Sequence, residues 1–222
     1  MKEILEFLKE LAANNNREWF GSNKERYNKI KGKVDVLANE LMARMLPFEP
    51  DVARLSTADC TYRIYRDTRF STDKTPYKTH IGIFINPPFG KKSERLGYYL
   101  HIEPGKSFAC AGTVCLPTPI LTAIRKSIYD ETEEYLDIIY SPEFKECYPT
   151  VGMNMLKTAP KGIPRDWEHL DLVRPRDFAV EHRLTDRQMC AGNLTQRVAD
   201  CFRIAKPWVD FINYTVDEFQ GR

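Results

Sequence analysis

The spacing of apolar residues changes along this 222-residue chain, and that change limits the fold more than any other feature. Near the N terminus, Ile4, Leu8 and Leu11 recur at helical spacing. From Glu18, apolar residues three, four or seven positions apart predict one long helix that ends before Pro47. A run of three asparagines separates the two segments and supplies a stop and a cap.

The middle of the chain alternates apolar and polar residues with a period of two, which is typical of strands. The segments with this alternation are residues 60–66, 80–85 and 97–103. In the third segment, Tyr98, Leu100 and Ile102 share the face that we expect to be buried. Pro104 and Gly105 then stand where a type II turn requires them, so we expect the next strand to pair back antiparallel.

Helical spacing returns after Pro117, with a predicted break near Asp130, and a short strand is predicted at residues 177–184. The last segment is amphipathic and contains Pro207, which predicts a kink or a division into two helices. Strands in one block with helices at both ends indicate an α+β fold. We expect a largely antiparallel sheet from the central segment, packed by N-terminal and C-terminal helices. Without repeats or linkers, residues 1–222 are predicted to form a single domain.

Charges occur throughout the first sixteen residues, and no apolar run approaches the ~20 residues that span a bilayer. We therefore expect a cytoplasmic protein without membrane contact, whose six cysteines are reduced thiols. The net charge is only +2. A balance so close to neutral argues against a dedicated nucleic-acid-binding protein. The sequence says nothing about oligomeric state.

The positive charge concentrates between Thr61 and His80, a segment that we call the basic block. Its cations are Arg63, Arg66, Arg69, Lys74 and Lys78, against the two carboxylates of Asp67 and Asp73. Guanidinium groups present paired donors that match phosphate or carboxylate oxygens, and interleaved tyrosines add a hydroxyl and a stacking face. The same residues are equally consistent with a structural ion network in which the two aspartates pin a loop. The sequence leaves both interpretations open.

Tyr99, His101 and Glu103 alternate on one predicted strand and therefore share a face. His101 is the candidate proton donor or acceptor, if this strand lies beside the basic block. The alternative is a hydrogen-bonded histidine without a chemical role. Nucleotide-binding glycine loops, acyl-transfer motifs and the spacings typical of metal ligands do not occur in the sequence. We therefore expect neither a cofactor nor a metal ion.

Four blocks of the sequence resemble the uncharacterised DUF2461 family. They are residues 14–20, residues 63–78, residues 97–105, and residues 172–174 with 177–178. The resemblance implies a domain of about this size, with the basic block as a hallmark of the family. It implies no reaction, cofactor or catalytic residue.

The leading hypothesis is a pocket for a small anionic ligand, with or without enzymatic activity. The expected ligand-binding residues are Arg63, Arg66, Asp67, Arg69, Lys74, Tyr77, Lys78 and Tyr99, and the expected catalytic residue is His101. The alternative is a non-enzymatic interaction module that docks an acidic protein partner or a nucleic-acid backbone through the basic block. A pocket requires the cations to converge on a concavity, whereas a docking surface requires them to spread over a flat face.

Overall fold

The computed structural model describes residues 1–221 as a mixture of helices and one sheet. The helices are α1 Lys2–Ala13, α2 Arg17–Ser22, α3 Lys24–Met45, α4 Thr57–Cys60, α5 Thr118–Asp130, α6 Thr132–Ile139, α7 Pro142–Cys147, α8 Asp186–Met189 and α9 Leu194–Phe219. The strands are β1 Ile81–Ile85, β2 Gly97–Ile102, β3 Ser107–Thr113, β4 Val151–Met153 and β5 Asp177–Leu184. Short 3-10 helices occupy Pro50–Arg54, Gly90–Lys92 and Leu170–Leu172.

The five strands form one antiparallel sheet in the order β1-β2-β3-β5-β4. Helices precede and follow the strands, so the predicted α+β fold is confirmed. In β2, Tyr98, Leu100 and Ile102 are completely buried, as their alternation predicts. The turn after β2 also has the predicted form, because Gly105 has φ +73° and the amide of Lys106 donates to the Glu103 carbonyl at 3.0 Å.

The predicted long helix from Glu18 is wrong in one respect, because the chain breaks it at Asn23. The Asn23 side-chain amide donates to the carbonyl of Trp19 at 2.9 Å, and its backbone N–H bonds the same carbonyl at 3.1 Å. Carbonyls at a helix end lack intrahelical partners, and these bonds satisfy one of them. One asparagine therefore ends α2 and stands directly before the start of α3.

The predicted strand at residues 60–66 does not form. Its only sheet-like pairing within residues 1–221 consists of two isolated bridges, Thr61 with Ile83 and Tyr65 with Tyr77. Pro76 lies beside the second bridge and has no N–H to donate, so the ladder cannot extend through it. The basic block is therefore a loop whose first half pairs with its second half through Tyr65 and Tyr77.

Of the two outcomes predicted for Pro207, division into two helices does not occur, since α9 runs unbroken through it. A proline inside a helix costs roughly 3 kcal/mol. Phe202 precedes it, and Trp208 and Ile212 follow it; all three side chains are completely buried. Each contributes about 1.5–3 kcal/mol by burial, which is enough together to offset the cost of the proline.

The chain divides into two compact units. The first unit consists of residues 1–91, 99–109 and 183–199, and the second of residues 92–98, 110–182 and 200–222. Whether the whole chain behaves as one domain stays a prediction. No helix within residues 1–221 is long and apolar enough to cross a membrane.

Candidate functional site

A cavity of about 300 Å³ lies in the first unit, between α3, the two ends of the basic block, β1 and β2. Its walls consist of Tyr27, Lys31, Val34, Asp35, Ala58, Thr61, Tyr62, Arg63, Ile64, Lys78, His80, Ile81, Gly82 and Tyr99. Of the nine residues predicted for the site, this cavity brings together Arg63, Lys78 and Tyr99. The two cations come from opposite ends of the basic block, and Tyr99 comes from β2.

Gly82 makes room for Tyr99 in the cavity wall. A Cβ atom at position 82 would come within 2.6 Å of the Tyr99 ring and of its hydroxyl oxygen. A contact that short does not occur between real side chains, so any larger residue would push the tyrosine aside. The glycine on β1 therefore fixes where the hydroxyl of Tyr99 meets the cavity.

The charges around the cavity are unbalanced. Lys31, Arg63 and Lys78 contribute three positive charges, and Asp35 contributes one carboxylate. Lys31 Nζ bonds one oxygen of Asp35 at 3.0 Å, whereas Arg63 forms no ion pair within residues 1–221. Burial, followed by repulsion from Arg63, lowers the pKa of Lys78. An anion placed between these two cations would therefore be attracted by both.

Two further polar features shape the cavity. The ammonium of Lys78 lies 5.3 Å from the centre of the Tyr62 ring, at cation–π distance. The second carboxylate oxygen of Asp35 is buried and has no hydrogen-bond donor within residues 1–221. A buried acceptor without a donor is costly, so Asp35 is held in the wall at the expense of one unsatisfied oxygen.

Tyr99, His101 and Glu103 form a chain of hydrogen bonds along β2. The Tyr99 hydroxyl lies 3.0 Å from His101 Nδ1, and His101 Nε2 lies 3.0 Å from a Glu103 carboxylate oxygen. The geometry assigns the ring proton to Nε2, which donates to the carboxylate, so Nδ1 accepts from the phenol. Although burial raises it, the pKa of Glu103 stays below its usual value, chiefly because His101 donates to it. Only Tyr99 of the three lines the cavity, so the chain ends there.

His80 stacks on His101 with ring centres 4.5 Å apart. Ligand atoms of His80, His101 and Glu103 lie within 4.8 Å of one another, close enough for a metal ion. Both nitrogens of His101 are engaged by Tyr99 and Glu103, however. A metal would have to displace one of these hydrogen bonds, so the arrangement fits a proton chain better than a metal centre.

The stability of the protein should depend on His80 at mildly acidic pH. Burial, followed by repulsion from His101, lowers the pKa of His80 from 6.5 to about 4. Between these values the unfolded chain binds more protons than the folded one, so the free energy of unfolding falls as pH decreases through this window. We expect denaturant titrations from pH 7 to pH 4 to show a shallower decline for His80→Gln than for wild type. Identical slopes would contradict this assignment.

Arg66 lies away from the cavity and holds the basic block together. Its guanidinium donates to the Asp73 carboxylate and to the Thr75 hydroxyl, and reaches the Thr75 carbonyl at 3.3 Å. The Thr75 backbone amide, followed by Arg66, lowers the pKa of Asp73 to about 2. These contacts match the structural ion network that the sequence left open.

The tip of the basic block is held by its own contacts. Arg69 grips the Asp67 carboxylate with two nitrogens, at 3.0 and 2.6 Å, and Lys74 donates to the Thr68 carbonyl at 2.9 Å. These side chains point into solvent, since 77% of the Arg69 side chain is exposed. Arg69, Asp67 and Lys74 are therefore not part of the cavity wall that contains Arg63 and Lys78.

Tyr77 packs behind the site and does not line the cavity. Its ring stacks on Phe20 with centres 4.0 Å apart. The Asn15 side chain accepts from the Tyr77 amide at 3.1 Å and donates to its carbonyl at 2.9 Å. Tyr77 thus anchors the end of the basic block to the start of the chain.

The helix α3 supplies cavity residues that the sequence reading did not single out. Tyr27, Lys31 and Asp35 are four positions apart and therefore share one face of the helix. Tyr27 is one of the residues whose apolar spacing predicts this helix. Lys31 and Asp35 follow it at intervals of four, and this spacing could have indicated that the same face of the helix borders a polar cavity.

Comparison with known proteins supplies a family and no activity. The model of the family DUF2461, described as a conserved hypothetical protein, matches residues 3–211. No curated protein and no solved structure matches the chain. The matched range contains all four sequence blocks and every residue around the cavity. The chain therefore belongs to the DUF2461 family.

Proposed function

We propose that the cavity binds a small ligand carrying a phosphate or carboxylate group, with Arg63 and Lys78 as donors to the anion. The observation that carries this proposal is the charge around the cavity, where three cations face a single carboxylate. Arg63 presents a planar pair of donors, and Lys78 presents a point charge beside it. Because Lys78 is half-buried beside the cavity, its attraction for an anion is stronger than on an open surface.

The size and polarity of the cavity narrow the class of ligand. A volume of about 300 Å³ lies at the lower end of the range for ligand pockets, which suits a small metabolite better than a polymer. Tyr27 and Tyr62 offer aromatic surface in the cavity wall. These features favour a small acid that also presents an apolar or aromatic surface.

We extend the proposal to proton transfer at Tyr99. A phenol that donates to an imidazole can give its proton to that ring while its oxygen accepts one from a ligand. Glu103 would stabilise the resulting imidazolium, as the carboxylate does in other histidine-centred chains. In this arrangement Tyr99 contacts the ligand, and His101, the residue expected to be catalytic, acts through it.

A second candidate function rests on the exposed tip of the basic block. Phe70 is 95% exposed, and the Arg69 guanidinium lies 5.8 Å from its ring centre. An exposed aromatic beside a cation is typical of an interaction surface and fits an acidic protein partner. In either case we propose the cytoplasm as the location, where the cysteines would stay reduced.

Thermal unfolding in the presence of anions tests the two candidates against each other. Inorganic phosphate should raise the Tm of the wild-type protein, since a ligand that binds only the folded state stabilises it. Arg63→Gln should lose this rise, because the substitution removes a donor from the cavity wall. Arg69→Gln is the matched control: it removes the same charge from the same block, outside the cavity, and should keep the rise. Loss of the rise in Arg69→Gln alone would favour the docking surface and contradict the pocket.

A further inference from the structure

Three residues that can hold a metal ion meet in the second unit. Cys147 ends α7, His182 lies on β5 and Cys201 lies on α9. One ligand atom from each residue lies within 4.8 Å of those of the other two. The three residues are 35 and 19 positions apart in the sequence, so only the fold brings them together.

The separation of the donor atoms matches a tetrahedral zinc site. Cys147 Sγ lies 3.6 Å from His182 Nδ1. With Zn–S near 2.3 Å and Zn–N near 2.1 Å, tetrahedral angles separate a sulfur and a nitrogen ligand by about 3.6 Å. A metal ion would therefore need little movement of this pair.

The surroundings of the cluster favour a metal that prefers sulfur. Cys147 and Cys201 are 8% and 5% exposed, so water competes weakly for their sulfurs. Metal ions bind the thiolate form of cysteine.

We propose that Cys147, His182 and Cys201 form a binding site for Zn²⁺, with a fourth position open to water. Two thiolates and one imidazole with an open position form a set that zinc accepts. His182 Nδ1 also lies 3.0 Å from the carbonyl of Cys147, which holds a proton on Nδ1 in the absence of metal. Zinc at Nδ1 would break this hydrogen bond and shift the ring proton to Nε2, whereas the thiol protons would leave, so zinc uptake releases protons to solution.

Competition with a chromophoric zinc chelator tests the site on the intact, fully reduced protein, with a reductant that contains no thiol. We expect one equivalent of Zn²⁺ to bind. We expect zinc binding to weaken by about 100-fold or more in each of three variants: Cys147→Ala, His182→Phe and Cys201→Ala. Loss of a residue that only hydrogen-bonds a metal ligand already weakens binding by about 10–100-fold, so loss of a ligand itself should cost at least as much. Cys190→Ala removes an exposed thiol outside the cluster and should bind zinc as wild type does.

Two results would overturn the proposal. One is no zinc binding by the wild-type protein, and the other is unchanged zinc affinity in each of the three single variants of the cluster. A second measurement covers the case in which the buried variants do not fold. X-ray absorption at the zinc edge of the wild-type complex should report two sulfur ligands and one imidazole nitrogen. A ligand shell of oxygen and nitrogen alone would show that the ion binds elsewhere.

Discussion

Replacing Trp208 by alanine should lower the free energy of unfolding by about 3–5 kcal/mol. The indole is completely buried on α9, and its Nε1 donates to the hydroxyl of Tyr135 at 3.0 Å. The substitution leaves a cavity in the core and removes the donor of that hydrogen bond. Urea denaturation followed by circular dichroism measures the loss.

Tyr214→Ala provides the matched control for this effect. Tyr214 lies on the same helix, and 66% of it is exposed. Removing an exposed aromatic side chain usually changes the free energy of unfolding by less than about 0.5 kcal/mol. Similar losses in the two variants would mean that Trp208 does not anchor this helix in the core.

Replacing Arg125 by methionine should cost about 2–4 kcal/mol of stability. The Arg125 guanidinium is buried and donates to the carbonyls of Val173 and Pro175, at 2.9 and 2.7 Å. Methionine keeps the apolar stem and leaves both carbonyls without their donor, at about 1–3 kcal/mol for each buried group. Burial, followed by repulsion from Arg176, lowers the pKa of Arg125, and this electrostatic cost offsets part of the loss on substitution.

Lys126→Met is the control for Arg125, at the next position of α5. Lys126 pairs with Asp130 on the surface, and 74% of its side chain is exposed. Exposed pairs contribute about 0–1 kcal/mol, so this variant should remain close to wild type. The comparison is made by urea denaturation at one pH. Equal stability of the two variants would show that the Arg125 carbonyl contacts are dispensable.

The regular elements could be predicted from the sequence because their signals are local. The alternation in β2 and the Pro104-Gly105 turn depend on residues close together in the chain, and both occur as predicted. The strand expected at residues 60–66 fails for the opposite reason. Its alternating pattern is typical of a strand, but the segment that it pairs with contains Pro76. That pairing depends on the tertiary fold and cannot be read from the sequence.

The candidate site was predicted in part. Charged residues can be counted in a sequence, but the direction in which each side chain points cannot be read from it. The concentration of cations was visible, and Arg63 and Lys78 do line the cavity. Nothing in the spacing distinguished them from Arg66, whose partners Asp73 and Thr75 lie within the same loop. The face of β2 that carries Tyr99 was predicted, whereas its meeting with α3 depends on packing between distant segments.

A calorimetric titration of inorganic phosphate into wild type, Arg63→Gln and Arg69→Gln tests the proposed anion pocket most directly. We expect one saturable site in wild type and in Arg69→Gln. We expect Arg63→Gln to bind at least about tenfold more weakly, a loss of about 1.4 kcal/mol. A charge-assisted hydrogen bond contributes about that much or more. Equal affinity in all three proteins would contradict an anion pocket built around Arg63, as would the absence of binding in wild type.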